Sequence, residues 1–179
     1  MNNIMIKQGE IEFTFRVEVE QDDATAAPWI ECDGHGPVSD WVRRDKKPGE
    51  LVLNTSHGDK RYYDFAEAVK IARRDGWNAQ PYCDKETKGQ RAAKAAMADF
   101  KNMHGWCNNE WWYVGVIVTL LDDDGEPTDV SESLWGVESK DDYPETVAHE
   151  LANGLMAEYG RTWGLVTRQV YAMLPQDGV

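Results

Sequence analysis

Asp33-Gly34-His35-Gly36 sets an imidazole between two glycines. Glycine lets backbone come close to a ligand, and an exposed histidine titrates near neutrality, so this segment has the makings of an acid–base group. Arg43 and Arg44 follow shortly and are suited to holding a phosphate, which makes Asp33, His35, Arg43 and Arg44 a candidate site for a nucleotide-like small molecule. The same residues also suit an ordinary structural turn, as do His57-Gly58-Asp59. No serine or cysteine nucleophile with a supporting acid stands out, although a triad is recognised by geometry and not by spacing.

The remaining chemistry-bearing patterns fail specific tests. His149-Glu150 needs a second histidine one helical turn on to hold zinc, and position 153 is Asn153. Asp122, Asp123, Asp124 and Glu126 lack the alternating carboxylates and late glutamate of a calcium loop. Thr87-Lys88-Gly89 lacks the earlier glycine and the residue order of a phosphate loop. Cys32, Cys83 and Cys107 are odd in number and show no metal-ligand spacing, so they read as reduced thiols of a cytosolic protein. No metal or cofactor is expected.

Charge is the strongest compositional signal. The formal net charge is −13. Residues 1–42 carry 2 basic and 9 acidic residues, residues 43–94 carry 13 and 8, and residues 95–179 carry 4 and 15. Acidic ends flank a basic middle. Such a chain repels nucleic acid at long range, which argues against direct nucleic-acid binding, and suits either solubility or a basic protein partner. The basic pieces, Arg43–Lys47 and Lys88–Arg91, could touch nucleic acid with help from Trp41, or form a solvated face. Eight tryptophans exceed what a core of this size needs, so some are expected at a contact surface.

The elements that must position these groups are legible. Trp111–Leu121 is a charge-free β-branched and aromatic run, too short to span a bilayer and suited to a strand buried on both faces. Asp124-Gly125 then marks a hairpin, with Ser133–Val137 returning. In residues 11–20 Ile11, Phe13, Phe15, Val17 and Val19 alternate with polar residues, predicting a strand with one wet face. Residues 21–50 lack periodicity and read as a long irregular loop region anchored by Trp29 and Trp41, with one helical turn at Val38–Val42. Short strands are expected at 51–54 and 60–63, joined by Ser56–Asp59. Asp64 caps a helix over 65–75 that Gly76 ends. A second helix is expected from Lys88 to His104, stopped by Gly105, and a third from Asp142-Tyr143-Pro144, stopped by Gly160. Residues 161–179 fit either a strand or a helix. The expected fold is α+β in a single domain, 1–179: a mainly antiparallel sheet of four to five strands with three helices packed on it. The start, MNNIMIKQGE, lacks the apolar segment of a secretion signal, and no transmembrane span is expected.

The blocks Asn109-Glu110-Trp111-Trp112-Tyr113-Val114-Gly115-Val116, Asp124-Gly125 and Ser133-Leu134-Trp135-Gly136-Val137-Glu138-Ser139, with Pro28-Trp29, Asp33–Pro37 and Tyr63–Trp77, resemble a largely uncharacterised group of small accessory proteins of bacteriophages and prophages of Gram-negative bacteria. The resemblance covers most of residues 28–140. It implies expression in the cytoplasm of the bacterial host and brings no catalytic residues. Two functions follow as expectations. The first is an acidic interaction protein that inhibits a defence system, of anti-CRISPR or anti-restriction type. Glu110, Asp122, Asp123, Asp124, Glu126 and Asp129 would occupy a basic groove of a nuclease or CRISPR component in place of phosphates, with Trp112 and Trp135 as contact anchors. The second is an enzyme or binding protein for a nucleotide-like molecule at the 28–50 loop.

Overall fold

The computed structural model describes residues 2–8, 11–31, 34–78 and 85–173, with side chains described no further than Glu158. The fold is α+β, as the sequence predicts, with a four-stranded antiparallel sheet, a two-stranded sheet and three helices of appreciable length. The chain divides into two compact units. The first comprises residues 1–22 and 113–179. The second, residues 23–112, is inserted between two paired strands of the first.

In the first unit, β1 (Asn2–Gln8) pairs with β2 (Ile11–Gln21), β2 with β5 (Tyr113–Leu121), and β5 with β6 (Pro127–Glu138), giving the order β1-β2-β5-β6. The apolar positions of β2 and β5 coincide in register, Phe15 opposite Leu120 and Val17 opposite Val118. Together with Ile4 and Val137 they form a face that α4 (Tyr143–Met173) covers with Val147, Ala148, Ala152, Leu155 and Met156. The central run is thus a nearly fully buried strand, but it begins at Tyr113; Trp111 and Trp112 lie outside it. The strand at 2–8 was not legible because its polar start hides the short alternation of Ile4 and Ile6.

The second unit contains α1 (Pro28–Glu31), the hairpin β3 (Glu50–Ser56) and β4 (Asp59–Asp64), α2 (Phe65–Asp75) and α3 (Lys88–Cys107). Leu53, Tyr63, Ala68, Ala96 and Met103 form its core. His57 and Gly58 both take positive φ, as the tight hairpin turn requires. Asp64 accepts the Glu67 N–H, and Gly76 closes α2 in the left-handed conformation, as expected from their types.

Three further expectations are corrected. Val38–Val42 is extended and not helical: Val38 and Val42 bridge to Tyr63 and Lys60, adding backbone pairing to the outside of β4. Gly105 does not stop α3, which continues to Cys107 with Gly105 buried against the Trp111 ring. Gly160 does not stop α4, and the C-terminal run is helix as far as Met173. A mid-helix glycine costs only about 1 kcal/mol, which packing readily overrides. Cys32, Cys83, Asp33 and most of the 78–87 loop lie outside the described residues.

Candidate partner-binding surface

The charge is partitioned between the units. The first holds 18 acidic and 5 basic residues and the second 14 of each, so the whole net charge of −13 belongs to the first. The largest concentration is the β5–β6 hairpin. Asp122, Asp123, Asp124, Glu126 and Asp129 are all exposed there. They are not equivalent. Asp122 Oδ1 accepts the N–H groups of Asp124 at 3.0 Å and Glu126 at 2.8 Å, so this carboxylate builds the turn. Asp123, Asp124, Glu126 and Asp129 make no such bond and face water.

The adjoining strand carries apolar groups. β6 is an edge of the sheet, and Leu134 and Trp135 are 46% and 48% exposed. A bulge sets Trp135-Gly136 opposite the single residue Gly115, with Gly136 at φ 73°. The indole lies directly on Gly115, where any Cβ would collide with its ring. Asp22, buried at the end of β2, accepts the Gly136 N–H at 2.9 Å and fixes the bulge. Trp135 is therefore held in place yet open to a partner. Glu110 and Trp112, also expected on the contact surface, belong to the second unit. Both are exposed just after α3.

Among the described residues of the alternative small-molecule site, His35, Arg43 and Arg44 each have a separate carboxylate partner. Arg44 makes a two-pronged ion pair with Glu50, both distances 2.7 Å, and stacks on Tyr62. Arg43 pairs with Asp59 and donates to the His57 carbonyl. Each arginine thus has its own carboxylate. His35 goes elsewhere: its Nδ1 lies 2.6 Å from Asp99 Oδ1 on α3. Asp99 Oδ2 also accepts the Gly36 N–H at 2.8 Å and the Tyr63 hydroxyl at 2.6 Å. Burial, reinforced by Asp99, pushes the Tyr63 phenol far above its ordinary range, so it stays a donor. A carboxylate behind an imidazole is the arrangement that orients a general base. Among the described residues, however, no hydroxyl or thiol nucleophile bonds to His35. Here the arrangement fastens the Gly34–Val38 segment to α3.

Sequence reading missed Asp99 altogether, because it lies 64 positions from His35 and sits in no motif of its own. It also missed Arg61, whose guanidinium lies 5.0 Å from the Trp29 ring and 4.7 Å from Trp41. This contact explains how both tryptophans anchor the loop region.

The Arg44 guanidinium, helped by the Lys47 N–H, holds Glu50 well below the usual carboxylate range, at about 2. A depressed carboxylate stabilises the fold above its unfolded pKa, about 4.3, and loses that contribution as pH falls toward 2. Urea unfolding of wild type and Glu50→Gln is therefore expected to differ at pH 7 and to converge near pH 2. A gap that stays constant with pH contradicts this.

Among the described residues no three histidine, cysteine or carboxylate side chains gather as a metal site, and no helix is long and apolar enough to cross a membrane. Comparison with protein-family models, with curated proteins and with solved structures finds no match.

Proposed function

We propose that the protein is an acidic binding protein whose first unit engages a basic surface of a partner protein. The observation that carries this is the confinement of the entire net charge to that unit, with exposed carboxylates at the β5–β6 turn and exposed Leu134 and Trp135 farther along β6. Carboxylates steer and orient such an encounter, and a well-seated tryptophan supplies affinity. The resemblance to phage accessory proteins supports a finer reading. In it the partner is a bacterial nuclease or CRISPR component in the host cytoplasm, and the carboxylates take the place of nucleic-acid phosphates.

The test is capture by the tagged full-length chain from bacterial lysate at low and high salt, followed by assay of the captured nuclease. The expected result is one defence protein, lost at high salt and inhibited by the purified chain. A variant reversing Asp123, Asp124, Glu126 and Asp129 to lysine, with Asp122 kept to preserve the turn, is expected to bind at least about tenfold more weakly. Inhibition unaffected by salt and by these substitutions overturns the reading.

The oriented imidazole of His35 favours a second reading, an enzyme acting through the Gly34–Val38 segment. His35→Gln separates the two readings. Loss of function in a stably folded variant supports the enzyme, and intact partner inhibition dismisses it.

A further inference from the structure

We infer that the outer edge of β6 receives an extended, basic segment of a partner protein as an added strand. This inference rests on the acidic-binding reading and states how the first unit holds its partner. β6 ends the order β1-β2-β5-β6 and faces no further strand among the described residues. From Ser131 to Leu134 it runs in regular register with β5, between two irregularities. Every residue from Ser131 to Trp135 is exposed. The backbone groups turned away from β5 along this stretch are a template for a strand from another chain.

Proteins commonly blunt such an edge with lysine, proline or a bulge. Here the Trp135-Gly136 bulge lies beyond the regular stretch, and Pro127 is the first residue of the strand. No lysine, arginine or histidine occurs between Tyr113 and Glu138, against seven carboxylates. Of those on β6, Glu138 has Lys140 at 3.4 Å, whereas Asp129 and Glu132 have no ion pair among the described residues. The edge therefore repels nucleic acid and a second copy of itself alike, and attracts a cationic chain.

The side chains set the pattern of the occupant. Leu134 lies opposite Val116, on the face that α4 covers, yet it is half exposed, so the cover stops short of the edge. Trp135 goes to the other face, where its ring lies on Gly115. Glu132, opposite Val118, shares the Leu134 side. A strand laid antiparallel beside β6 meets Trp135 and Leu134 with two consecutive residues, one on each face, and meets Glu132 two positions later. Two neighbouring aliphatic residues followed at that spacing by lysine or arginine match all three.

The full-length chain, labelled with nitrogen-15, is titrated with the capped heptapeptide Lys-Val-Val-Thr-Lys-Thr-Lys and with counterparts carrying serine for both valines or glutamate for every lysine. The expected result is saturable binding of the first, with amide shifts and slowed hydrogen exchange within Ser131–Trp135. The serine peptide should bind about tenfold more weakly, having lost its apolar contacts, and the glutamate peptide should not bind. Glu132→Lys, at an exposed position, should weaken binding at least about tenfold while the rest of the spectrum stays unchanged. No binding by the valine peptide, equal binding of the two cationic peptides, or shifts without slowed exchange on β6 each overturns strand addition. So does slowed exchange there that grows with protein concentration in the absence of peptide, which makes a second copy the occupant. The lysate capture and its hairpin variant, which leaves Glu132 in place, judge the broader reading separately.

Discussion

Replacing Asp99 with alanine is expected to destabilise the protein by about 2–4 kcal/mol, since two or three donors lose their acceptor in a poorly hydrated place. The side chain of Asp99 is 9% exposed. It satisfies the His35 imidazole, the Gly36 N–H and the Tyr63 hydroxyl together. Tyr63 has an alternative, since its hydroxyl also lies 3.2 Å from the Ala96 carbonyl, but the other two donors have none among the described residues. Tyr63→Phe is accordingly the milder change, about 1 kcal/mol, the net worth of one hydrogen bond. Urea unfolding followed by circular dichroism reads both. Should the alanine variant unfold within 0.5 kcal/mol of wild type, roughly the noise expected for a surface substitution, the carboxylate is not what fastens the loop. The loop has no slack to compensate. Gly36 is buried, and a Cβ there would meet the Tyr63 ring and the Ala68 methyl.

Trp111→Ala is expected to cost about 3–5 kcal/mol, the usual toll of emptying a large aromatic site. Trp111 is 2% exposed, and its indole N–H donates to the Asn102 carbonyl of α3 at 2.9 Å. A Cβ on Gly105 would lie 3.2 Å from its ring, so the glycine is what lets helix and indole approach. Trp111→Phe keeps most of the volume but not the donor, and should fall at about 1–2 kcal/mol. A fluorescence-detected urea series orders the three proteins. An alanine variant as stable as the phenylalanine one would mean that the cavity collapses and packing at this position matters little.

These two sites show where local reading stops. In sequence Trp111 groups with the strand that follows, because WWYVGVIVTLL is one uninterrupted apolar run. Its hydropathy is the same whether it pairs in a sheet or plugs the end of a helix. Only the fold separates Trp111, against α3, from Tyr113, the first residue of β5. Asp99 reads in sequence as a helical carboxylate among alanines, and its two loop partners lie 63 and 64 positions away. In the same way Arg43 and Arg44 look like a phosphate clamp until Asp59 and Glu50 arrive from β4 and β3.

The sequence by itself determined what depends on neighbours a few residues apart. Asp64 and Gly76 bound α2 through cap geometry. Asp122 and Gly125 shape the β5–β6 turn, and the alternation of residues 11–20 shows which face of β2 is wet. It also determined the surplus of acid, because charge is additive along a chain. Tertiary structure alone decided that this surplus belongs to one unit and that helices run through Gly105 and Gly160. Each of these turns on which distant segments meet, and the free energy of that meeting outweighs the roughly 1 kcal/mol of local preference at any single residue.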